Sequence, residues 1–245
     1  MKHQVIGRLH LRMHTNAYSP EWFSRFLHRI APAQTDREVA FIEQHLEAGS
    51  SVLDSPCGSG RHARLLAARG YRVIALDRDP TLLGPADDPS LAWICADLQA
   101  MPLARGRIDA VLCLWQSFGY FGSEENADLL RAWAGLVRPG GLLILDLYHR
   151  GFFETRSGER SLEHPGGRIR ESRRMQGDRL IVELAYEGRG GGDRFEWQLF
   201  TPGDLEALAA RCGWRLRLAC SGFDARQAAD PERPRVQYVL EKLSA

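Results

Sequence analysis

The sequence lacks the features of a membrane-spanning, secreted or metal-dependent protein. No apolar run approaches the ~20 residues that cross a bilayer, and residues 1–14 have no continuous apolar core of a signal peptide. The five cysteines are odd in number and show no CxxC spacing, and no His, Asp and Glu residues have the spacing of metal ligands. These absences predict a reduced, cytoplasmic protein without a disulfide framework or a metal site.

Net charge is nearly absent as well. The 245 residues carry 32 basic and 31 acidic side chains, a net charge of +1, and Lys2 and Lys242 are the only lysines. This balance gives no general attraction to nucleic acid or to an anionic membrane. With 44% hydrophobic residues, the chain is predicted to be one large globular domain or two small ones, without a nucleic-acid or membrane partner.

Short apolar runs alternate with stretches of helical spacing through the middle of the chain. The predicted strands are 52–53, 73–76, 91–96, 108–114 and 142–147, and the predicted helices are 61–69, 127–137 and 202–211. Ser123 and Thr201 are the predicted N-caps of the last two helices. The alternation predicts βαβ units and a parallel sheet covered on both faces.

The two flanks of this core have different patterns. Residues 1–48 are predicted to form an N-terminal helical cap, with an apolar stripe made of Trp22, Phe23, Phe26, Leu27 and Ile30. The core occupies residues 49–150, an antiparallel β insertion occupies 151–200, and residues 201–245 complete the core sheet. The insertion is interpreted as a substrate lid or a dimer surface, which makes a homodimer one candidate assembly.

The most informative segment joins a strand to a helix through a turn of small residues. A buried strand ends at Asp54, the turn Gly58-Ser59-Gly60 follows, and a helix begins near Arg61. Glycine lets the backbone approach a ligand closely, and amides at a helix start favour an anionic group. The turn predicts a small-molecule site at the carboxyl edge of the sheet. Because residues 58–63 also fit the GxGxxA dinucleotide fingerprint, the turn alone leaves a nicotinamide cofactor open.

Three acids at strand ends narrow this choice. Asp54, Asp77 and Asp97 follow three successive predicted strands, and the carboxyl ends of parallel strands meet at one edge of a sheet. A row of carboxylates matches a ligand with an amine, a ribose diol and a further amine. The pyrophosphate of a dinucleotide sits poorly among additional carboxylates.

With these residues the chain resembles the class I S-adenosylmethionine-dependent methyltransferases, and most closely their small-molecule type with an antiparallel insertion. The resemblance is carried by residues 52–54 with 57–61, 75–77, 96–98, 108–111 and 138–141, by the sequence SFGYF at 117–121, and by the helix start at 201–205. It implies a Rossmann-like, doubly wound, mostly parallel seven-stranded sheet. It also implies S-adenosylmethionine as cofactor and S-adenosylhomocysteine as product.

The resemblance further implies roles for individual residues. The predicted cofactor-binding residues are Tyr18, Trp22, Asp54, Gly58, Gly60, Asp77, Arg78, Asp97, Leu98 and Trp115. The two glycines would lie against the methionyl part of the cofactor, and Asp54 would lie near its ammonium group. Asp77 would accept the ribose hydroxyls, and Asp97 and Leu98 would contact the adenine amine. Arg78 would stack on the adenine face, and Tyr18 and Trp22 would belong to a flap over the cofactor.

Three departures from the family pattern are visible. Pro56 stands in place of the first glycine, Arg78 in place of an apolar residue, and Asp79 adds a second acid near the ribose position.

A valine at Gly60 is expected to fill the cofactor's space with little change in fold.

The predicted acceptor wall follows the fourth and fifth strands of the core. Its substrate residues are Ser117, Phe118, Tyr120, Tyr148 and His149. The Tyr120 hydroxyl and the His149 ring are the candidate catalytic groups, which would orient or deprotonate an acceptor. Because the cofactor brings the electrophile, in-line transfer requires mainly that the acceptor and the methyl group be aligned.

The sequence therefore predicts an S-adenosylmethionine-dependent methyltransferase that acts on a small molecule, with an amine as the candidate acceptor. Two alternatives stay open: a nicotinamide-dinucleotide oxidoreductase, supported by the GxGxxA overlap, and a non-catalytic cofactor-binding fold. Titration with S-adenosylhomocysteine and with NAD(H) distinguishes the methyltransferase from the oxidoreductase, because each binds its own cofactor. A screen for turnover distinguishes the methyltransferase from the non-catalytic fold, which would bind cofactor without methylating any acceptor.

Overall fold

The computed structural model describes residues 13–16, 18–26, 30–85, 90–188 and 191–244. The chain divides into two compact units: a larger unit of residues 30–155 and 197–245, and a smaller unit of residues 1–29 and 156–196. The predicted cap of residues 1–48 therefore contributes to both units, and the predicted segment boundaries stay predictions.

The helices and strands are numbered in chain order. The helices are α1 (Pro20–Phe26), α2 (Pro32–Glu43), α3 (Arg61–Ala68), α4 (Ser123–Leu136), α5 (Arg150–Glu154) and α6 (Pro202–Arg211). The strands are β1 (Met13–Thr15), β2 (Ser51–Asp54), β3 (Arg72–Asp77), β4 (Leu91–Cys95), β5 (Ile108–Cys113), β6 (Val137–Tyr148), β7 (Gly158–Leu162), β8 (Ile169–Gln176), β9 (Arg179–Tyr186), β10 (Gly192–Gln198), β11 (Trp214–Ser221), β12 (Asp224–Ala228) and β13 (Arg235–Lys242).

The larger unit is built on a mixed sheet in the order β12-β11-β13-β6-β5-β2-β3-β4. Strands β6, β5, β2, β3 and β4 pair in parallel, whereas β13 and β11 pair antiparallel. This confirms the predicted mostly parallel α/β sheet. It has eight strands instead of seven, because β12 folds back on β11.

Helices cover both faces of this sheet. Successive strand side chains point to opposite faces, and Val52 belongs to a core cluster with Phe41 and Leu66, whereas Leu53 belongs to one with Trp133. The first cluster is supplied by α2 and α3, and the second by α4 and α6. The sheet is therefore doubly wound, as predicted.

Local capping follows the sequence closely, with one shift. Thr201 accepts the Asp204 amide at 3.2 Å and Asp204 accepts the Thr201 amide at 3.1 Å, so α6 begins with the predicted reciprocal cap. The prediction of Ser123 as a cap is wrong by one residue. Gly122 is the N-cap of α4, because the Glu125 carboxylate accepts its amide at 2.7 Å.

The smaller unit contains the predicted antiparallel insertion. Its sheet has the order β1-β10-β9-β8-β7, with β7, β8 and β9 joined antiparallel. Strand β1 pairs parallel to β10, so a segment predicted as part of a helical cap contributes a strand. Tyr18 packs on Trp22 and Phe195, with ring centroids 4.4 and 4.9 Å apart. Leu27 of the predicted stripe lies outside the described residues.

Within the described ranges, no helix has the length and apolar character needed to cross a membrane.

Candidate active site

The predicted site residues of the core lie at one edge of the larger sheet. Asp97, Asp77 and Asp54 stand at or just after the ends of β4, β3 and β2, and Trp115 and Tyr148 at or after the ends of β5 and β6. Since these strands are neighbours in that order, the edge changes from acidic to aromatic along its length. The structure therefore brings together the residues that the sequence placed at successive strand ends.

Asp77 has a fixed carboxylate orientation. Its side chain is 8% exposed, and its two oxygens accept the amides of Gly58 at 2.8 Å and Asp79 at 3.0 Å. Each oxygen keeps a lone pair for a further donor. Asp79 accepts the Thr81 amide at 2.9 Å, and the choice of Asp77 over Asp79 as the acid facing a ligand stays a prediction.

Asp54 is the most unusual acid of the site. It is 1% exposed, and no donor among the described residues reaches its Oδ2 atom. Burial raises its pKa to about 6, against the opposing positive charge of His62 and Arg61. A buried carboxylate oxygen without a donor fits a ligand that brings its own cation.

The two glycines of the turn have different surroundings. Both adopt positive φ, 54° for Gly58 and 73° for Gly60. A Cβ atom on Gly58 would meet open space, whereas one on Gly60 would overlap the Trp93 indole, with Cζ3 2.7 Å away. A valine at Gly60 was predicted to fill the cofactor's space with little change in fold. This explanation is wrong, because the added side chain would overlap the Trp93 indole of the protein itself. The open space at Gly58 fits a closely approaching cofactor.

Glu38 is a central residue that the sequence analysis missed. It is buried on α2, and its carboxylate accepts from Arg61 Nη1 at 2.6 Å and Trp115 Nε1 at 3.1 Å, and lies 2.7 Å from His62 Nε2. Burial disfavours its charge, but the hydrogen bonds and charges of His62 and Arg61 outweigh it and lower its pKa to about 2. The available signal was a carboxylate on the apolar face of α2, four residues before the buried Ile42.

Trp115, just after β5, contacts two arginine side chains and lies in a strained turn. Its indole has the Arg61 guanidinium 4.7 Å from the ring centroid and the Arg235 guanidinium at 5.4 Å. Trp115 and the buried Gln116 both adopt positive φ, 58° and 60°. Two successive non-glycine residues in this conformation mark a strained turn of the kind found at functional sites.

The predicted acceptor wall stays a prediction, with one correction at Phe118. Tyr120 and Tyr148 both pack against the buried Trp197, with ring centroids 6.0 and 5.6 Å away. Phe118 was predicted to face substrate, but it is fully buried and stacks on Phe200 in the core, with centroids 5.6 Å apart. Trp197 was missed because the sequence placed it inside the insertion.

His149 has a structural partner. Its buried ring accepts the Gly151 amide through Nδ1 at 3.1 Å and caps α5. Burial lowers its pKa, which disfavours the charged form of the ring. Its catalytic role stays a prediction.

The remaining predicted residues are exposed, half-buried or part of the smaller unit. Asp97 caps the short 3-10 turn Leu98–Ala100 by accepting the Gln99 amide at 2.8 Å, and Arg78 is exposed. Ser117 is half-buried. The cofactor roles of Tyr18, Trp22, Arg78, Asp97 and Leu98 and the acceptor role of Ser117 stay predictions.

Comparison with known proteins supports the family resemblance. A family model described as a methyltransferase domain matches residues 52–141. The glycine/sarcosine N-methyltransferase of Parasynechococcus marenigrum is 27% identical over 172 residues, covering 63% of this chain and 60% of that protein. The malonyl-[acyl-carrier protein] O-methyltransferase of Pseudescherichia vulneris is 33% identical over 150 residues, covering 60% and 55%. The chain thus spans only about half to three-fifths of these two relatives.

A solved structure extends the similarity of fold to nearly the whole chain. A sugar N-methyltransferase from Streptoalloteichus sp. ATCC 53650 superposes with a TM-score of 0.69 at 20% identity, over 99% of this chain and 100% of that one. At this identity the match shows a shared fold, and it confirms the predicted fold class.

Proposed function

We propose that the chain, whose residues 52–141 match a methyltransferase-domain model and whose fold is shared with a sugar N-methyltransferase, transfers a methyl group from S-adenosylmethionine to a small-molecule amine. The observation that carries the proposal is the pair of buried carboxylates Asp54 and Asp77 beside the open space at Gly58. A cationic amino group, a ribose diol and a close backbone approach together match this arrangement.

In this proposal the cofactor half of the site binds without doing chemistry. Asp77 accepts the ribose hydroxyls with the lone pairs that the Gly58 and Asp79 amides leave open. Asp54 faces the ammonium with its Oδ2 atom. When bound, S-adenosylmethionine supplies an electrophilic methyl group on a sulfonium, so the protein's remaining task is to align the acceptor.

The acceptor is proposed to be an amine held against Tyr120, Tyr148 and Trp197. Aromatic side chains bury a small ligand while the tyrosine hydroxyls orient it. Tyr120 is the proposed group that orients the amine or takes its proton, and His149, whose Nδ1 atom already accepts the Gly151 amide, is proposed to orient it. One relative is named as a glycine/sarcosine N-methyltransferase, and the solved structure of similar fold is named as a sugar N-methyltransferase. Both names support an amine as the methyl acceptor.

A small molecule is favoured over nucleic acid because the net charge is only +1. Four of the five cysteines are buried free thiols, which supports a reducing compartment such as the cytoplasm. A homodimer remains the candidate assembly.

Calorimetric titration with S-adenosylhomocysteine and, separately, with NADH tests the cofactor. Tight binding of the first and none of the second is expected, and the reverse would establish the oxidoreductase alternative. Radiolabelled S-adenosylmethionine with a panel of glycine, sarcosine, amino sugars and hydroxyl compounds then tests the acceptor. Cofactor binding without labelling of any compound would favour a non-catalytic fold.

A further inference from the structure

A buried ion pair lies beyond the residues that the proposed reaction uses directly. Asp146 is fully buried on β6, and Arg235 at the start of β13 donates to it through Nε, at 2.9 and 3.1 Å, and through Nη2. Gln237 adds a donor at 2.8 Å. Each of the two buried charges needs the other as its partner, because removing one leaves an uncompensated buried charge, which is strongly destabilising.

This ion pair holds the strained turn after β5. Asp146 Oδ2 accepts the Trp115 amide at 3.1 Å, and its backbone oxygen accepts the Gln116 amide at 2.9 Å. The Gln116 side chain accepts the Tyr148 amide and donates to the Phe118 carbonyl at 3.1 Å. The left-handed backbone at Trp115 and Gln116 is thus fixed by bonds to β6.

Arg235 also contacts the two aromatic faces of the site. Its guanidinium lies 5.4 Å from the Trp115 ring centroid and 5.1 Å from that of Tyr148, and its side chain is 24% exposed. The other guanidinium against Trp115 comes from Arg61, the first residue of α3. Trp115 therefore contacts both the first residue of the helix that follows the glycine turn and the strand that carries Arg235.

From this geometry we propose that Arg235 is a positioning residue. Through Asp146 it fixes the turn at Trp115 and Gln116, and with that turn the side of the cofactor site where the methionyl end and the acceptor meet. The order of strands supports this location, because β5 is adjacent to β2 with Asp54, whereas β3 with Asp77 lies on the far side of β2. The proposal rests on the proposed function, since it assumes that an adenosyl cofactor occupies this edge.

The test compares two ligands and three variants by calorimetry and thermal unfolding. Adenosine lacks the methionyl part that S-adenosylhomocysteine carries, so it probes only the Asp77 end of the site. Arg235→Met removes the guanidinium. The double variant Asp146→Asn with Arg235→Met also removes the stranded buried charge. Arg226→Met is the matched control, because Arg226 pairs with Asp224 at 90% exposure.

A positioning role predicts that Arg235→Met weakens S-adenosylhomocysteine about tenfold or more and adenosine less than about twofold. The double variant should recover most of the lost unfolding temperature, because no unpaired buried charge remains. It should still bind S-adenosylhomocysteine weakly. Arg226→Met should change none of these quantities. If Arg235→Met does not fold, the double variant carries the comparison.

Three results would overturn the positioning role. One is an equal loss of affinity for both ligands. Another is recovery of S-adenosylhomocysteine binding together with stability in the double variant, which indicates a purely structural pair. The third is unchanged S-adenosylhomocysteine affinity in Arg235→Met. A wild-type protein that does not bind S-adenosylhomocysteine contradicts the proposed function itself, and the positioning role falls with it.

Discussion

The two halves of the site are built from contacts of very different range. In the proposed cofactor half, made of Asp54, Gly58 and Asp77, the bond from Gly58 to Asp77 joins residues 19 positions apart. The proposed acceptor half is made of Tyr120, Tyr148 and Trp197. The neighbouring turn at Trp115 is held by Glu38 and by the Asp146–Arg235 pair, with bonds that span 77 and 89 positions. The cofactor half is thus formed by residues close together in sequence, on neighbouring strands and the turn between them. The acceptor half forms only when segments distant in sequence have folded together.

Asp77→Ala is the sharpest test of the cofactor half. We expect it to weaken S-adenosylhomocysteine about a hundredfold, because it leaves the ribose hydroxyls and the Gly58 amide without their acceptor. Isothermal titration measures the loss. Asp79→Ala is the control and should change the affinity less than about threefold, since Asp79 accepts the Thr81 amide. Equal losses in the two variants would remove Asp77 from the site.

The two glycines allow the fold to be separated from binding. Gly60→Ala should lower the free energy of unfolding by about 3 kcal/mol, because the new methyl group overlaps Trp93 at a positive φ. Gly58→Ala should cost only about 1 kcal/mol, from its positive φ alone, yet weaken S-adenosylhomocysteine. Urea denaturation and titration give both quantities. A Gly58 variant that binds normally would place the ligand elsewhere.

Asp54 predicts opposite pH dependences for binding and for stability. Its pKa of about 6 in the folded chain means that the carboxylate charges as pH rises through 6, so S-adenosylhomocysteine should bind about tenfold more weakly at pH 5 than at pH 7. A raised folded-state pKa stabilises the fold below the unfolded pKa near 4, and this contribution disappears as pH rises through 6.

Asp54→Asn separates these two effects. It should flatten the pH profile of binding and lower the affinity at pH 7, while raising the free energy of unfolding at pH 8 because no buried charge remains there. Titrations between pH 5 and 8, with chemical denaturation at each pH, measure both. A pH profile of binding that Asp54→Asn leaves intact would assign the dependence to another group.

Tyr120→Phe carries the smallest expected effect and addresses the acceptor half. With an amine that the panel identifies, turnover should fall about fivefold to tenfold, the effect of losing one orienting hydrogen bond, whereas S-adenosylhomocysteine affinity should stay the same. Tyr71→Phe is a matched control, since Tyr71 lies just before β3, at its amino end. A parallel fall in cofactor affinity would place Tyr120 in the cofactor half instead.

The same difference in range explains what could be predicted from sequence. The strand-end acids and the glycine turn were readable because each signal lies within a few residues of a buried run. The fold class followed from the same alternation. Glu38, Trp197 and the Asp146–Arg235 pair were not found, because their roles depend on strand order and on partners far along the chain. Phe118 was misplaced for a related reason: its neighbours Trp133 and Phe200 are distant in sequence, and they place it in the core.

A crystal structure with S-adenosylhomocysteine tests the central claim most directly. The account predicts the ligand at the carboxyl edge of the larger sheet, with both ribose hydroxyls within hydrogen-bond distance of the Asp77 carboxylate and the ammonium beside Asp54 Oδ2. A ligand bound elsewhere, or one whose ribose contacts neither oxygen of Asp77, would contradict it.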